Sequence, residues 1–335
     1  MSEASSTPVI SARNLSKVFP LPTGIVQSVA NRINRRPGKV VRAVDNVSLD
    51  VFKGETVGIV GESGCGKSTL ARMLAGISGS NGGEFLYKGQ DYSSFLRNAA
   101  DALKVQMIFQ DPQSSINPRL RVIDIIGEAP VAHGLIRRDQ KEAYVLQFLE
   151  KVGLSPEFLH RYPHQFSGGQ RQRIGIARAL AVNPELLICD ESVAALDVSV
   201  QAQIINLFMQ IKADFGLTML FISHDLGVIR HLCDRVMVMY LGRVVEVART
   251  EELFANPRHP YTRMLLDGMP KIATGRREFL SIEGEIPSPI NPPSGCHFHP
   301  RCSLRTEQCS SVKPELETLE DGRHIACLNW RGSAS

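Results

Sequence analysis

The sequence lacks long apolar runs, a secretory signal and any strong excess of charge. No apolar stretch approaches the roughly 18 residues that a membrane-spanning helix needs, so we expect no transmembrane segment. Met1 to Thr7 are polar and lack the apolar core of a signal peptide, which predicts a cytosolic chain in which disulfides are not expected. The formal net charge of +4 is too small to indicate nucleic acid as a partner.

The composition is otherwise that of an ordinary folded protein. Apolar residues make up 43% of the 335 residues and charged residues 21%, which argues against disorder. The length suggests about two domains. Prolines cluster after about Ala255, and four of the seven cysteines lie beyond Gly295. We therefore predict a main domain at 1–255 and a small module at 256–335.

Several short apolar runs show no alternation of polar and apolar residues, which predicts strands buried on both faces. The runs are Thr56–Val60, Val105–Phe109, Leu186–Cys189, Met219–Ile222 and Val236–Leu241. Gly242 separates the last run from Val244–Val247, so a hairpin is expected there. Between the second and third runs the pattern turns helical, over about 111–175. We therefore predict an α/β core with an inserted helical subdomain.

A glycine-rich turn follows the first apolar run. Residues 61–68 read Gly-Glu-Ser-Gly-Cys-Gly-Lys-Ser, which fits the phosphate-binding pattern G-x-x-x-x-G-K-[ST]. A core-facing helix is predicted behind the turn, and its positive N-terminus favours an anion. The apolar stripe of this helix consists of Leu70, Met73, Leu74 and Ile77.

In this pattern the lysine, Lys67, reaches the β- and γ-phosphates of a nucleotide, and the hydroxyl of Ser68 takes a Mg²⁺ position. The strand before the turn and the helix after it are the context that the motif requires. The expected nucleotide-binding residues are Gly61, Ser63, Gly64, Cys65, Gly66, Lys67, Ser68 and Thr69.

About 120 residues further on, an apolar strand ends in two acidic residues, Asp190 and Glu191. At the carboxyl end of a parallel strand, Asp190 can hold Mg²⁺ and Glu191 can polarise an attacking water. A strand that ends in two acids is common by itself. Downstream of a phosphate-binding turn it becomes the expected magnesium-binding strand.

Residues 167–170, Ser-Gly-Gly-Gln, are predicted to begin another helix. Ser167 with Gln170 three positions later fits a capping box, and Gly168 and Gly169 allow a close approach of other groups to the backbone. A helix N-terminus without bulky side chains favours anions. Taken alone, the motif is equally consistent with a plain helix cap.

These motifs, with Gln110 after one strand and Ser223-His224-Asp225 after another, resemble the ABC ATPase superfamily in their order and spacing from about residue 8 to residue 250. The resemblance implies a P-loop NTPase fold of the ABC type that binds ATP with Mg²⁺ and hydrolyses it. It also implies a head-to-tail pair of ATPase domains. Each nucleotide would lie between the P-loop of one chain and residues 167–169 of the other.

The same resemblance implies roles for three catalytic residues. Glu191 is expected to polarise the attacking water, and His224 to hold that water and the γ-phosphate. Gln110 is expected to sense the γ-phosphate and to relay its presence to a permease. Gln110 is also expected to join Ser68 and Asp190 around Mg²⁺.

Two further positions match the superfamily by their place in the chain. Asp197, after Ala195 and Leu196, matches the loop that crosses between the two ATPase chains. Phe19 matches an aromatic residue that stacks on adenine, with simple core packing as the alternative.

Two residues shortly after Glu191, the expected catalytic glutamate, depart from the usual pattern of the family. Family members usually have proline directly after it and serine two residues later, where this chain has Ser192 and Ala194. Both changes leave the Mg²⁺ and water groups untouched. We therefore expect them to affect the contacts of the crossing loop rather than hydrolysis.

Several stretches resemble the dipeptide and oligopeptide importer branch, and with the tail the resemblance covers nearly the whole chain. The stretches are 61–66, 116–119, 161–166 and 256–262, together with the segment 22–39, which carries Arg32, Arg35 and Arg36. The last segment suits the second ATPase subunit of the branch. The resemblance implies a related ATPase subunit, two transmembrane permease subunits and an external solute-binding protein as partners. It places the chain at the cytoplasmic face of the plasma membrane and leaves the transported substrate open.

Four cysteines of the tail are candidate metal ligands: Cys296, Cys302, Cys309 and Cys327. They lack the close pairs that are usual in structural zinc sites, and their wider spacing suits a [4Fe–4S] cluster, as the family resemblance also implies. Zinc, with His297, His299 or His324 as a further ligand, and free thiols remain as alternatives. Cys65 begins the helix beside Lys67, and we interpret it as a small loop residue rather than a reactive thiol.

Two other functions share part of this pattern. A soluble ABC ATPase of DNA repair or translation typically carries a long coiled-coil insertion or a second ATPase unit, and this sequence shows one unit and no sustained heptads. A regulatory or redox-sensing subunit is disfavoured by the intact catalytic set. The sequence therefore favours the ATP-hydrolysing subunit of an ABC importer for peptides or related small solutes.

Overall fold

The structure is a computed structural model that describes residues 7–21, 40–111, 115–194, 196–269 and 285–333. The segment 22–39, with Arg32, Arg35 and Arg36, lies outside the described residues, as does Ala195 of the expected crossing loop.

The described residues form two β-sheets. In chain order the strands are β1 (Ile10–Pro20), β2 (Val40–Val51), β3 (Thr56–Val60), β4 (Gly82–Tyr87), β5 (Gln90–Asp91), β6 (Val105–Ile108), β7 (Leu186–Asp190), β8 (Thr218–Ile222), β9 (Arg235–Tyr240), β10 (Arg243–Arg249), β11 (Glu317–Thr318) and β12 (His324–Ile325). The larger sheet has the order β11-β12-β10-β9-β3-β8-β7-β6, and the smaller sheet has the order β2-β1-β4-β5.

Ten α-helices lie between and after these strands in the described residues. They are α1 (Lys67–Leu74), α2 (Tyr92–Leu96), α3 (Ala99–Ala102), α4 (Val122–Ala132), α5 (Lys141–Lys151), α6 (Gly168–Leu180), α7 (Val198–Phe215), α8 (Leu226–Leu232), α9 (Thr250–Ala255) and α10 (Pro260–Asp267). No helix of the described part is long and apolar enough to cross a membrane.

The centre of the larger sheet is parallel, from β9 through β3, β8 and β7 to β6. Every residue of β3, β7 and β8 is buried, which confirms the prediction of strands covered on both faces. Successive residues face opposite apolar cores: Val57 and Ile59 belong to one and Val60 to the other. The predicted hairpin is also confirmed, since β9 and β10 pair antiparallel.

Helices α4, α5 and α6 pack against one another in the region where the helical pattern was expected. Their buried residues include Val145, Phe148, Leu149, Ile174 and Leu180. The region begins after the carboxyl end of β6, and the chain returns from α6 to the amino end of β7.

The predicted stripe of the first helix is wrong at Ile77. Helix α1 ends at Leu74, and Ile77 is 55% exposed. Gly76, with φ of 74°, turns the chain, and the N–H groups of Gly76 and Ile77 donate to the carbonyls of Met73 and Arg72. This arrangement is a Schellman motif, which stops a helix and leads the following residue away from its apolar face.

The sequence pattern does not predict the smaller sheet. Strands β1 and β2 mix buried and exposed residues without strict alternation, and their pairing contains several register shifts. Each shift exchanges the inward and outward faces of a strand, so the two-residue period is lost.

The tail adds two short strands to the larger sheet. Strand β12 pairs antiparallel with β10, and the N–H of Ala326 donates to the carbonyl of Val245 at 2.9 Å. The guanidinium of Arg323 donates to the carbonyl of Asn256 at 2.7 Å. Backbone pairing therefore ties the tail to the larger sheet, while the division into 1–255 and 256–335 stays a prediction.

Candidate active site

The glycine-rich turn connects β3 directly to α1, as the motif requires. Gly61 and Gly66 both have positive φ values, 152° and 106°. A Cβ at Gly61 would lie 2.2 Å from the carbonyl oxygen of Met239, and one at Gly66 would lie 2.0 Å from that of Ala43. Only glycine fits these two positions, because neighbouring backbone occupies the place of a side chain.

Lys67 lies at the start of α1 with 4% of its surface exposed. Its Nζ donates to the carbonyls of Gly61 at 2.8 Å and Glu62 at 2.9 Å. These partners are uncharged, and no ion pair of Lys67 is seen among the described residues. A buried ammonium that forms no direct ion pair favours an anion in the turn.

Ser68 and Asp190 lie beside each other at the same end of the sheet. The hydroxyl of Ser68 donates to Oδ1 of Asp190 at 2.8 Å. Burial raises the pKa of Asp190, and the hydrogen bond from Ser68 opposes that shift. Since hydroxyl and carboxylate oxygens are the ligands that Mg²⁺ prefers, both residues fit the Mg²⁺ position expected of them.

Glu191 lies at the centre of the predicted catalytic group. It follows β7 directly, with Gln110 after β6 and His224 after β8, so three neighbouring strands bring the three residues together. Nε2 of Gln110 donates to Oε2 of Glu191 at 2.7 Å, and Nδ1 of His224 lies 3.7 Å from Oε1. Such a group at the carboxyl ends of parallel strands is typical of α/β catalytic sites.

The backbone of Glu191 is itself unusual. Its φ of 45° lies in the left-handed region, which is rare for a residue with a side chain. The N–H of Glu191 donates to the carbonyl of Ile222 at 3.0 Å, so the neighbouring strand holds this conformation. Backbone strain of this kind concentrates at functional sites.

Ser167 and Gln170 form the expected capping box at the start of α6. The hydroxyl of Ser167 accepts from the N–H of Gln170 at 3.3 Å, and Oε1 of Gln170 accepts from the N–H of Ser167 at 3.0 Å. Ser167 and Gly168 are exposed, and so is Asp197 at the start of α7. A Cβ at Gly169 would lie 2.5 Å from Val200 of α7, so the two helix starts adjoin each other.

Phe19 is 42% exposed, so the core-packing alternative for this residue is wrong. It pairs across the smaller sheet with Val41, two residues from Ala43, whose carbonyl closes the turn beside Gly66. Nζ of Lys17 lies 5.4 Å from the centre of the Phe19 ring. The ring is therefore an accessible aromatic surface near the glycine-rich turn at residues 61–66, which we call the phosphate turn.

Cys65 is buried beside Lys67, and burial raises the pKa of its thiol. This burial agrees with the interpretation of Cys65 as a small loop residue rather than a reactive thiolate.

The four cysteines of the tail line one small cavity, to which His259, His299 and Phe298 also contribute. Burial raises the pKa of Cys327 to about 11. Within the described ranges, no group of three or more Cys, His, Asp or Glu side chains is arranged to hold a metal ion. The iron–sulfur cluster therefore stays a prediction.

The histidines that were expected as possible zinc ligands are separated in the structure. His299 lines the cysteine cavity, whereas His297 and His324 line a different one between the tail and the smaller sheet. The zinc alternative with His297 or His324 has no support, because these rings face another part of the molecule. His259, which the sequence does not single out, lies on the cysteine cavity instead.

Sequence reasoning also misses two residues that hold the phosphate turn. Arg301 of the tail forms two hydrogen bonds to the carboxylate of Glu62, at 2.8 and 2.9 Å. The hydroxyl of Tyr261 accepts from the N–H of Glu62 at 2.9 Å. Tyr261 belongs to a stretch already singled out, at 256–262, but no sequence signal links Arg301 to a loop 239 residues away.

Comparison with known proteins decides the family. Two protein-family models match the chain: ABC transporter over residues 44–194, and oligopeptide/dipeptide transporter, C-terminal region, over 245–309. The dipeptide transport ATP-binding protein DppF of Haemophilus influenzae is 46% identical over 330 residues, which cover 97% of each chain. The oligopeptide transport ATP-binding protein AppF of Bacillus subtilis is 47% identical over 334 residues, covering 98% of this chain and 99% of the relative.

The chain belongs to the ABC transporter family, among the dipeptide and oligopeptide transport ATP-binding proteins. As a member of this family it is an ATP-binding subunit that hydrolyses ATP to power transport. A DNA-repair or translation ATPase is not favoured.

Solved structures agree with this fold. A bacterial ABC transporter cassette solved as a dimer matches with a TM-score of 0.62 and 25% identity, over 72% of this chain and 98% of that one. CbiO1 of Clostridium perfringens, part of an ABC transporter complex, matches with a TM-score of 0.61 and 24% identity, over 75% and 92%. The ABC-type P-loop NTPase fold with mixed α/β sheets is therefore shown.

Proposed function

We propose that this chain binds MgATP on residues 61–69 and hydrolyses it with Glu191 to drive the uptake of peptides or related solutes. The observation that carries the proposal is the grouping around Glu191. Gln110 donates to its carboxylate at 2.7 Å, while the Ser68–Asp190 hydrogen bond of 2.8 Å lies at the end of the same strand. Neighbouring strand ends thus supply both a Mg²⁺ position and a water-polarising group.

The turn provides the phosphate-binding part of the proposed site. Lys67 would bind the β- and γ-phosphates, and the N–H groups of the turn and of the start of α1 would donate to phosphate oxygens. Ser68, Asp190 and Gln110 would hold Mg²⁺, which neutralises charge that develops on the phosphates. Phe19 would stack on adenine, supported by its exposure near Ala43.

Glu191 would orient and polarise the water that attacks the γ-phosphate. Its Oε2 is held by Gln110, which leaves Oε1 facing His224 at 3.7 Å. His224 would hold the water and the γ-phosphate. Gln110, bonded to Glu191, would report nucleotide state to the permease.

The site would be completed by a second, related ATPase subunit. Residues 167–170 and Asp197 would face the nucleotide bound by that partner, and the exposure of Ser167, Gly168 and Asp197 supports this placement. Ser192 is buried and Ala194 is exposed. Both lie between Glu191, the proposed catalytic residue, and Asp197 of the proposed crossing loop.

The named relatives support peptide transport and the remaining partners. Relatives of nearly the same length are named dipeptide or oligopeptide transport ATP-binding proteins. We infer two transmembrane permease subunits and an external solute-binding protein, with this chain peripheral at the cytoplasmic face of the plasma membrane and no nucleic acid partner.

The tail at 256–335 would form a module around the four cysteines, distinct from the ATPase domain at 1–255 with its helical subdomain at about 111–175. All four thiols line one cavity, which supports a shared group. A single zinc would draw its sulfur ligands to about 2.3 Å from one point. A [4Fe–4S] cluster binds each cysteine through a different iron, so it suits thiols that surround a cavity and do not converge. Cys296, Cys302, Cys309 and Cys327 would hold it, and it would order the tail.

Substitution of Glu191 by glutamine tests the proposal. In the assembled transporter, Glu191→Gln should reduce the ATPase rate by about 10²–10⁴-fold, the usual contribution of a general base. Binding of ATP should persist, whereas Lys67→Ala should weaken it. Glu150→Gln, on the exposed side of α5, is the matched control and should keep the wild-type rate. A normal ATPase rate in Glu191→Gln would overturn the assignment.

A further inference from the structure

The ion pair between Arg301 and Glu62 links the tail to the phosphate turn. Arg301 donates from Nη1 and Nη2 to the two carboxylate oxygens of Glu62, at 2.8 and 2.9 Å. The side chain of Arg301 is 2% exposed and that of Glu62 is 14% exposed. A bidentate pair shielded from water fixes both distance and orientation, unlike a surface pair.

Glu62 is held from three sides. Arg301 holds its carboxylate, the hydroxyl of Tyr261 accepts from its N–H at 2.9 Å, and its carbonyl accepts from Nζ of Lys67 at 2.9 Å. A continuous path of contacts therefore runs from the tail through a single residue to the lysine of the phosphate turn.

Arg301 is fixed in turn by the packing of the tail on the ATPase domain. Phe298, three residues earlier, packs against Tyr240 and Tyr261 with ring centres 5.3 and 5.4 Å apart. The N–H of Arg301 donates to the carbonyl of Phe298 at 3.0 Å, and Nη1 of Arg301 donates to the hydroxyl of Tyr240 at 3.4 Å. The short turn at residues 298–301 lies between Cys296 and Cys302, which both line the cysteine cavity. The order of this cavity and the position of Arg301 therefore depend on the same few residues.

The charge of Arg301 matters as much as its position. Glu62 places a carboxylate on the residue that Lys67 contacts, in a turn that has to receive the negative charge of ATP. Arg301 neutralises that carboxylate and directs it away from Lys67. Without Arg301, the carboxylate would repel the phosphates and compete for Lys67, since charge interactions are strong where water is excluded.

We propose that Arg301 is a positioning residue for ATP binding, through which the C-terminal module sets the affinity of the phosphate turn. The proposal rests on the proposed role of Lys67 in binding phosphate. It makes the tail part of the nucleotide site without contact between the tail and the nucleotide.

Equilibrium binding of a fluorescent ATP analogue to the purified full-length chain tests this proposal. Arg301→Ala should raise the Kd about tenfold or more, as removal of one partner of a buried charge pair does. Removing the carboxylate as well, in the double variant Glu62→Gln/Arg301→Ala, should recover most of the lost affinity. A merely structural role of Arg301 would not give this recovery.

Two further variants extend the test. Arg305→Ala, an exposed arginine of the same module, should bind as wild type. Arg301→Lys keeps the charge but loses the bidentate geometry, so its Kd should lie between those of wild type and Arg301→Ala; it also serves where the alanine variant does not fold. In the assembled transporter, Arg301→Lys should raise the KM for ATP and leave kcat within about twofold, because the catalytic residues are untouched.

The variant Lys67→Ala distinguishes a failure of the proposed phosphate-binding role of Lys67 from a failure of the inference about Arg301. Should it bind ATP normally, the role of Lys67 and this inference both fail. Should it bind weakly while Arg301→Ala binds within twofold of wild type, or while the double variant binds no better than Arg301→Ala, only the inference about Arg301 is overturned.

Discussion

Alanine at Gly66 is expected to disrupt the phosphate turn far more than alanine at Gly64. Both glycines have positive φ values, 106° and 78°. A Cβ at Gly66 would lie 2.0 Å from the carbonyl oxygen of Ala43, whereas a Cβ at Gly64 would have no heavy atom within 4 Å. The two variants share the backbone penalty, and only Gly66→Ala adds a collision.

The expected magnitudes follow from these two components. A left-handed conformation costs a residue with a side chain about 1–2 kcal/mol, so Gly64→Ala should lower the free energy of unfolding by about that amount. Overpacking against fixed backbone adds about 1–3 kcal/mol, so Gly66→Ala should lose about 2–5 kcal/mol in total. Relief of the collision would push β2 away from the turn, and ATP binding should weaken as well.

Urea unfolding followed by circular dichroism measures the stability, and titration with a fluorescent ATP analogue measures binding. Gly64→Ala serves as the matched control, since it carries the same substitution in the same turn. Equal losses of stability in the two variants would refute the argument that contact with Ala43 makes glycine necessary at Gly66.

Two other predictions concern assembly and the tail. The isolated chain should hydrolyse ATP slowly and gain activity with its partner ATPase and permease, because residues 167–169 complete a site on another chain; a full rate in a purified monomer, independent of protein concentration, would contradict this. Anaerobically purified protein should be brown and contain about four iron atoms per chain if the four cysteines hold a [4Fe–4S] cluster. Metal analysis decides the second point, since one zinc without iron would support the rival site and absence of both metals would mean free thiols.

The sequence predicts the centre of the fold well because burial there is uniform. Strands β3, β7 and β8 are apolar throughout, and the residues expected to act together follow neighbouring strands. The meeting of Gln110, Glu191 and His224 therefore follows once the strand order is given. Local motifs likewise carry their own geometry, as the capping box at Ser167 does.

Other features depend on contacts that no local pattern records. The end of α1 is set by Gly76, whose left-handed φ overrides the apolar stripe that continues to Ile77. The smaller sheet escapes prediction because its bulges break the period of two. The pairing of Arg301 with Glu62 joins residues 239 apart, and an arginine among prolines and cysteines gives no sign of its partner.

The most direct test of the account is peptide uptake driven by ATP on the side of this chain. Proteoliposomes would contain the assembled transporter and its solute-binding protein, with labelled dipeptide on the side of the binding protein and MgATP on the other. We expect accumulation with the wild-type chain, and none above background when the chain carries Glu191→Gln. Uptake at the wild-type rate in the Glu191→Gln transporter, or uptake that does not depend on ATP, would contradict the claim that this chain powers transport by hydrolysis at Glu191.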